Sequence, residues 1–145
     1  MSDAPPSSVR SLPGWLLGRA AVRGRALVGE ALAGEGIRMW HHVVLSAVRD
    51  LEPVAQADLG RGVGLDPKDL VGVLNDLQTA GLAVREPDPA DRRKNAVSLT
   101  TDGERLLRRC DKLVREADDA MLAPLSTAER DQFMCLLNRI SGTDG

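Results

Sequence analysis

The tightest constraint in this chain lies between Leu59 and Leu77. Leu59 and Val63 end one short apolar-periodic segment, and Gly64 follows at once. Asp66-Pro67-Lys68-Asp69 then opens another segment, whose apolar stripe is Leu70, Val73, Leu74 and Leu77. Asp66 carries the side-chain oxygen an N-cap needs. Pro67 has no N–H to lose at the first helical position, and Asp69 sets a negative charge against the positive end of the helix dipole. The pattern predicts a short helix over about 56–63, a sharp turn at Gly64, and a second helix from Asp66 toward Gly81. Gly81 is the stop and Leu82 the apolar residue that packs after it. Two helices joined by so short a turn must be neighbours in space.

Two alternating runs come next, Leu82-Ala83-Val84-Arg85 and Val97-Ser98-Leu99-Thr100, and these read as paired strands. The polar stretch Glu86–Asn95 between them holds Pro87 and Pro89 and ends in Arg92-Arg93-Lys94, which predicts a protruding hairpin loop. A helix-turn-helix followed directly by a two-stranded ribbon is a winged helix-turn-helix. Further helices flank it. Leu16, Ala20, Leu27 and Ala31 recur near the 3.6-residue period from Pro13 to about Ala33, before Gly34 and Gly36. Trp40, Val43, Val44, Ala47, Val48 and Leu51 make a wide apolar face over about 37–51, closed by Pro53. Thr101-Asp102-Gly103-Glu104 reads as a capping box opening a long helix marked by Leu106, Cys110, Leu113, Ala117 and Ala120. Ser126–Glu129 reads as a second box before Phe133, Met134, Leu136, Leu137 and Ile140.

The expected fold is mainly α with a small β-hairpin wing: a winged helix-turn-helix with N- and C-terminal dimerisation helices. Residues 1–12, polar and rich in serine and proline, are expected to form a disordered leader. Residues 13–145 are expected to form a single domain, with dimerisation helices at about 13–35 and 101–141 around a winged core at about 37–100. The expectation of a homodimer rests on surplus apolar residues. Leu16, Leu17, Leu27, Val114, Met121, Phe133, Leu136 and Leu137 exceed what a lone winged helix of this size buries.

Several function classes are excluded. At 145 residues the chain can build a core without a metal or disulfide staple. No apolar run approaches the roughly 18 residues of a membrane span, and no basic-then-apolar signal peptide opens the chain. A cytoplasmic protein with no membrane partner is expected. Cys110 and Cys135 lack any Cys-x-x-Cys spacing, so no metal site follows, and both read as packed, inert thiols, with a cysteine pair at a dimer interface as the alternative. There is no phosphate-cradling glycine loop, nucleophile elbow or His-Glu-x-x-His, so neither an enzyme nor a cofactor is expected. Aromatic residues are 2% of the chain, too few for a stacking platform for single strands.

The remaining class is duplex DNA binding, where charge placement matters more than the net −2. Opposite the buried stripe Leu70–Leu77, helical periodicity sets an outward line of Lys68, Gly72, Asn75 and Thr79. Such a line can meet base edges in the major groove, Lys68 serving phosphate or guanine and Asn75 adenine. Asp58, Asp66, Asp69 and Asp76 outnumber Arg61 and Lys68 in this region, so the helix alone is a weak partner for a polyanion. The wing supplies the balance: Arg92, Arg93 and Lys94 suit the narrow minor groove, and Asp91 can hold a neighbouring arginine in shape. The acidity of the helix motivates one alternative, a winged-helix dimer that acts through protein contacts and binds DNA weakly or not at all.

The stretches Gly64–Val71, Leu74-Asn75-Asp76-Leu77-Gln78-Thr79-Ala80-Gly81-Leu82, Arg85–Arg93 and Val97-Ser98-Leu99-Thr100-Thr101-Asp102-Gly103 resemble the multiple-antibiotic-resistance regulator (MarR) family of transcription factors. The Asp-Arg-Arg wing followed by Val-x-Leu-Thr-x-x-Gly carries the resemblance, and the helix order extends it from Pro13 to Ile140. It implies a homodimer with two winged lobes on a pseudo-palindromic operator, acting as a ligand-responsive repressor. Asp91 and Arg93 match the wing element, and Lys68, Asp69, Gly72 and Asn75 take recognition-helix contact positions. With Gln56, Thr79, Arg92 and Lys94 these form the expected DNA-contacting set. Pro67, Asp69, Gly72 and Asp76 depart from the polar or basic side chains many relatives carry there. The resemblance also implies a small-molecule effector, commonly an aromatic acid. Trp15, Arg19, Trp40 and His41 are the candidate contacts, with His42 and Arg38 beside them. Trp40, on the apolar face of its helix, is also expected to pack in the core.

Overall fold

The computed structural model describes residues 3–143; the expectations for residues 1–12 and 13–145 therefore reach at either end beyond the described residues. The elements are α1 (Ser7–Arg10), α2 (Pro13–Ala33), α3 (Met39–Leu51), β1 (Val54–Ala55), α4 (Gln56–Val63), α5 (Pro67–Thr79), β2 (Ala83–Pro87), β3 (Asn95–Leu99), α6 (Thr101–Met121) and α7 (Thr127–Ser141). They fall into two compact units, one of Val28–Val114 and one of the segments on either side, with α2 and α6 each crossing the division.

The Val28–Val114 unit is the winged helix. Leu32, Ile37, Val44, Leu45, Val48, Leu59, Leu70, Leu74 and Leu77 form its core with Val54, Val97, Leu107 and Cys110. It takes in the end of α2 and the first part of α6, because Leu32, Leu106 and Leu107 supply apolar surface that α3–α5 cannot close over alone. The turn between α4 and α5 is built as the residues require. Gly64 takes a left-handed conformation (φ +74°), where a side chain would be strained, and Asp66 accepts a hydrogen bond from Asp69 N–H at 2.9 Å. At the far end Gly81 is also left-handed, and Leu82 N–H donates to Leu77 C=O at 2.8 Å.

The wing is an antiparallel sheet ordered β1-β3-β2, with Pro87 opposite Asn95 at its open end and Ala83 opposite Leu99 at its root. β1, which the sequence does not announce, adds a third strand to the expected hairpin: Val54 pairs with Val97 and Ala55 with Ala96. Three ion-pair and hydrogen-bond ties brace the helices. Arg109 grips Glu35 through Nε and Nη2 at 3.1 and 3.2 Å, and Asp111 receives Arg49 Nη1 at 2.5 Å and lies 3.2 Å from His42 Nε2.

The capping box expected at Thr101–Glu104 is replaced by a cap one residue earlier. Thr100 Oγ1 accepts from Gly103 N–H at 3.0 Å and donates to Gly81 C=O at 2.7 Å. Thr100 already stands at the end of the β3 pairing, its N–H donating to Leu82 C=O at 3.1 Å, so its hydroxyl is the one held in place. Two burial expectations also change. Trp40 is 38% exposed; the buried residues of α3 are His41, Val44, Leu45 and Val48. Cys135 is exposed, whereas Cys110 is buried as expected.

In the other unit, Ser126 and Glu129 form the expected reciprocal capping box, at 2.9 and 3.2 Å. Gly24 lets α2 lie close to α6, because a Cβ there would meet the Met121 sulfur at 3.0 Å. Arg130 ties α7 to the end of α6, through Asp119 at 3.1 Å and the Leu122 carbonyl at 3.2 Å. Residues 7–10, expected to be disordered, form one helical turn in which Val9 and Arg10 N–H donate to Pro6 C=O.

Candidate nucleic-acid interface

The predicted outward line of α5 faces solvent. Lys68, Gly72, Asn75 and Thr79 are all exposed, while Leu70, Leu74 and Leu77 on the opposite side are buried. Gly72 has nothing within 4 Å of where a Cβ would sit, so the α5 backbone is bare at mid-helix. Asp69 lies in the exposed first turn. Its carboxyl is raised above its ordinary value by the side-chain hydrogen bond with Asp66 and then by the Asp66 charge. Asp66 itself is held below its ordinary value, chiefly by the Asp69 N–H.

Most of the acids that weigh against a polyanion have partners inside the protein. Asp76 accepts from His41 Nε2 at 2.9 Å and lies 3.7 Å from the Arg38 guanidinium. His41 is buried, and its Nδ1 accepts from Arg38 N–H at 2.9 Å, so Nε2 carries the proton that Asp76 receives. Asp58 is paired with Arg61. His41 therefore links α3 to the exposed helix α5.

Arg85 and Gln78 complete this surface; both stand in the stretches that carry the family resemblance, but neither is among the expected DNA-contacting residues. Arg85 reaches from β2 to α5, its Nη2 donating to Asn75 Oδ1 at 2.6 Å and its Nε donating to Gln78 Oε1 at 2.9 Å. These contacts span ten and seven residues and match no local motif, so nothing in the linear pattern could have found them.

The wing tip is shaped by Asp91. Its Oδ1 accepts from the Arg93 N–H at 3.1 Å and from Arg93 Nε at 3.2 Å, and these bonds hold its carboxyl below the usual range. Lys94 N–H donates to Asp91 C=O, and Asp88 N–H donates back to Lys94 C=O at 2.8 Å, closing the loop. The Arg93 side chain is 91% exposed although its guanidinium is held, and Arg92 and Lys94 are exposed beside it. Gln56 is set apart from the outward line of α5. It lines a cleft of about 470 Å³ with Arg61, Pro67, Leu70, Lys94 and Asn95, and its Oε1 is buried without a hydrogen-bond partner among the described residues.

The candidate effector residues divide between the units. Trp15 and Arg19 come together, the guanidinium 5.1 Å from the ring centroid, beside a groove also lined by Gly18, Val22 and Arg23. Trp40 and His41 belong to the winged unit, where His41 is taken up by Asp76 and Arg38. Among the described residues no helix is long and apolar enough to cross a membrane.

A winged helix-turn-helix with a polar outward helix and a basic, internally braced wing tip is the architecture of a DNA-binding transcription factor. Comparison with known proteins narrows this to a family. Residues 35–94 match the sequence profile of the MarR family. Over 98% of its length and 90% of the relative's, the chain is 30% identical to the HTH-type transcriptional repressor NicR of Pseudomonas putida. Among solved structures it is similar to Bordetella bronchiseptica BpsR, whose DNA binding is regulated by 6-hydroxynicotinic acid. The TM-score is 0.86 and the identity 29%, covering 97% of this chain and 99% of that one. The repressor CouR bound to a 23-mer DNA duplex gives a TM-score of 0.90 at 26% identity, with coverage of 97% and 99%. The chain belongs to the MarR family of winged helix-turn-helix transcriptional regulators.

Proposed function

We propose that this protein is a ligand-responsive repressor that binds a pseudo-palindromic operator as a homodimer, working in the cytoplasm by binding and not by catalysis. α5 enters the major groove with Lys68, Asp69, Gly72, Asn75 and Thr79 toward the bases. The wing lays Arg93 in the minor groove, with Asp91 holding it and with Arg92, Lys94 and Gln56 against the backbone. The observation that carries this reading is Arg93: a guanidinium oriented by Asp91 yet almost wholly open to solvent, on a loop closed by its own hydrogen bonds. A cation so placed suits the strongly negative potential of a narrow minor groove. The acids that would favour a protein partner are largely engaged: Asp76 with His41, Asp58 with Arg61, and Asp66 with a backbone N–H.

Exposed Leu12, Leu16, Leu17, Val22, Met134, Leu136 and Ile140 in the terminal unit support a dimer built on that unit, since so many large apolar side chains call for cover. Two-fold symmetry then sets the half-sites about 34 Å apart. The similarity to BpsR and its 6-hydroxynicotinic acid supports a small aromatic acid as effector, for which Trp15 and Arg19 offer a ring and a cation.

The test is fluorescence anisotropy with the DNA upstream of the protein's own gene, against unrelated DNA, at 50 and 200 mM salt. For roughly 6–10 phosphate contacts, affinity falls by about 10³–10⁵ between these salts. Arg93→Ala should weaken binding and reduce the salt slope by about one for each wing. Equal affinity and slope in the variant would refute the wing assignment. Absence of preference for any operator would refute the repressor reading.

A further inference from the structure

The side chains that face outward on α5 are not free to present either end of their amides. Asn75 Oδ1 lies 2.6 Å from Arg85 Nη2, and Gln78 Oε1 lies 2.9 Å from Arg85 Nε. A guanidinium has five N–H donors and no acceptor, so each amide must turn its oxygen toward Arg85 and its NH2 group away. The orientation of both side chains is thus dictated by chemistry. One rigid fork from β2 sets two positions one helical turn apart on α5.

We infer that Arg85 is a specificity-determining positioning residue, which makes Asn75 and Gln78 hydrogen-bond donors toward DNA and biases the operator toward guanine or thymine where Asn75 reads it. This inference rests on the reading of α5 as the helix in the major groove. An asparagine that reads adenine uses both amide ends, the oxygen accepting from N6 and the nitrogen donating to N7. The oxygen keeps a second lone pair, but it is turned toward Arg85, so the two-ended pairing with adenine is disfavoured. The remaining N–H groups suit an acceptor edge, guanine N7 and O6 or thymine O4. Lys68, the other long polar side chain on the outward line, is also a donor only. Lys68, Asn75 and Gln78 thus offer donors, and the adenine pairing that the bare sequence suggests for Asn75 is disfavoured by a residue ten positions away.

The experiment measures binding of the full-length protein to an operator library in which each base is replaced in turn by the other three. Asn75→Ala locates the base pair read by Asn75, as the position where preference flattens. The wild type should prefer guanine or thymine there. Arg85→Met frees the amide, and the ratio of affinities for adenine against guanine at that one position should rise on the order of tenfold, the scale of one bidentate contact. Arg85→Lys keeps the charge but offers a single point of donation, so it should shift the same ratio in the same direction by less. It serves as well if Arg85→Met is poorly folded in a thermal melt. A loss of affinity equal for all four bases is what a merely structural arginine would give, and it would overturn the inference. So would an adenine preference already present in the wild type. No preference at any position in the wild type would overturn the DNA-reading role of α5, and this inference with it.

Discussion

Replacing Gly103 by alanine tests the junction that holds the wing's root against α6. A Cβ built at this position would lie 1.9 Å from the Leu82 carbonyl oxygen and 2.9 Å from its carbon, far inside the 3.5–4.0 Å of an ordinary carbon contact, roughly. Relief needs a backbone shift of more than about 1 Å, and Leu82 is pinned from both sides. Its N–H donates to Leu77 C=O at 2.8 Å, and its C=O accepts from Thr100 N–H at 3.1 Å. Thr100 Oγ1 in turn bonds Gly81 C=O and Gly103 N–H. Moving the strand end costs about 1–3 kcal/mol in overpacking, about 1 for the loosened Thr100 cap and about 1 for a weakened backbone bond. The helix-propensity gain of alanine over glycine returns about 1 kcal/mol. The expected loss is about 3 kcal/mol, a fall in Tm of roughly 10 °C for a chain of this size. Gly72→Ala is the control: nothing lies within 4 Å of a Cβ there, so the same substitution on α5 should stabilise by about 0.5–1 kcal/mol. Urea unfolding at constant m-value reads both. A Gly103→Ala protein within about 0.5 kcal/mol of wild type would refute the packing argument.

Two further outcomes are expected. Burial opposes the charged form of Asp111, but hydrogen bonds from Arg49 and His42 overcome it and hold the carboxyl below its ordinary 3.8. A depressed folded value contributes stability that is complete above the unfolded value and is lost as pH falls through the folded one. Asp111→Asn should therefore cost about 1 kcal/mol at pH 7, and the gap from wild type should close as pH drops below the ordinary 3.8; a gap constant down to acid pH would show that the ion pairs contribute nothing. Burial also pushes the Cys110 thiol up to about 11, so mass spectrometry after alkylation at pH 8 should find Cys110 unmodified until the protein is denatured. Modification of the native protein at Cys110 would show that the α6 core opens.

How much of this was legible in the sequence depends on the range over which each contact is made. Asp66 and Ser126 were readable as caps because their partners lie three residues on, and Gly81 because its role is fixed by its own φ. The Asp91–Arg93 brace is equally local. The adjacent threonines show where such reading stops. Both can cap α6, and the choice fell to Thr100 because Leu82 and Gly81, some twenty residues away in sequence, already held it. β1 was invisible for the same reason: two residues become a strand only through Val54 meeting Val97. Trp40 was misplaced because periodicity locates a stripe without its width, and the buried part of α3 is narrower than its apolar face. The specific Val-x-Leu-Thr-x-x-Gly pattern that carried the family resemblance acquires a physical reason: its last glycine stands where a Cβ would strike the Leu82 carbonyl.

The acidity of the α4–α5 region looks different once its partners are known. Counted along the chain, the acids argue against DNA. In the fold, Asp76 holds α3 through His41, Asp66 caps α5, and Asp58 neutralises Arg61, while Arg85 brings a cation to α5 that the local count omits. The helix is left with few charges of its own for phosphates and with amides oriented as donors. The wing, by contrast, carries exposed Arg92, Arg93 and Lys94. Contacts to phosphate supply affinity regardless of sequence, whereas contacts to base edges supply choice. Under the proposed function the two elements therefore divide the work, the wing binding and α5 selecting. The two sets of variants should separate accordingly. Loss of Arg93 lowers the affinity for every operator, leaves the base preferred at the Asn75 position unchanged, and lowers the salt slope. Loss of Arg85 reorders the operators and leaves the slope nearly unchanged, because the guanidinium acts through Asn75 and Gln78 and not on the phosphates.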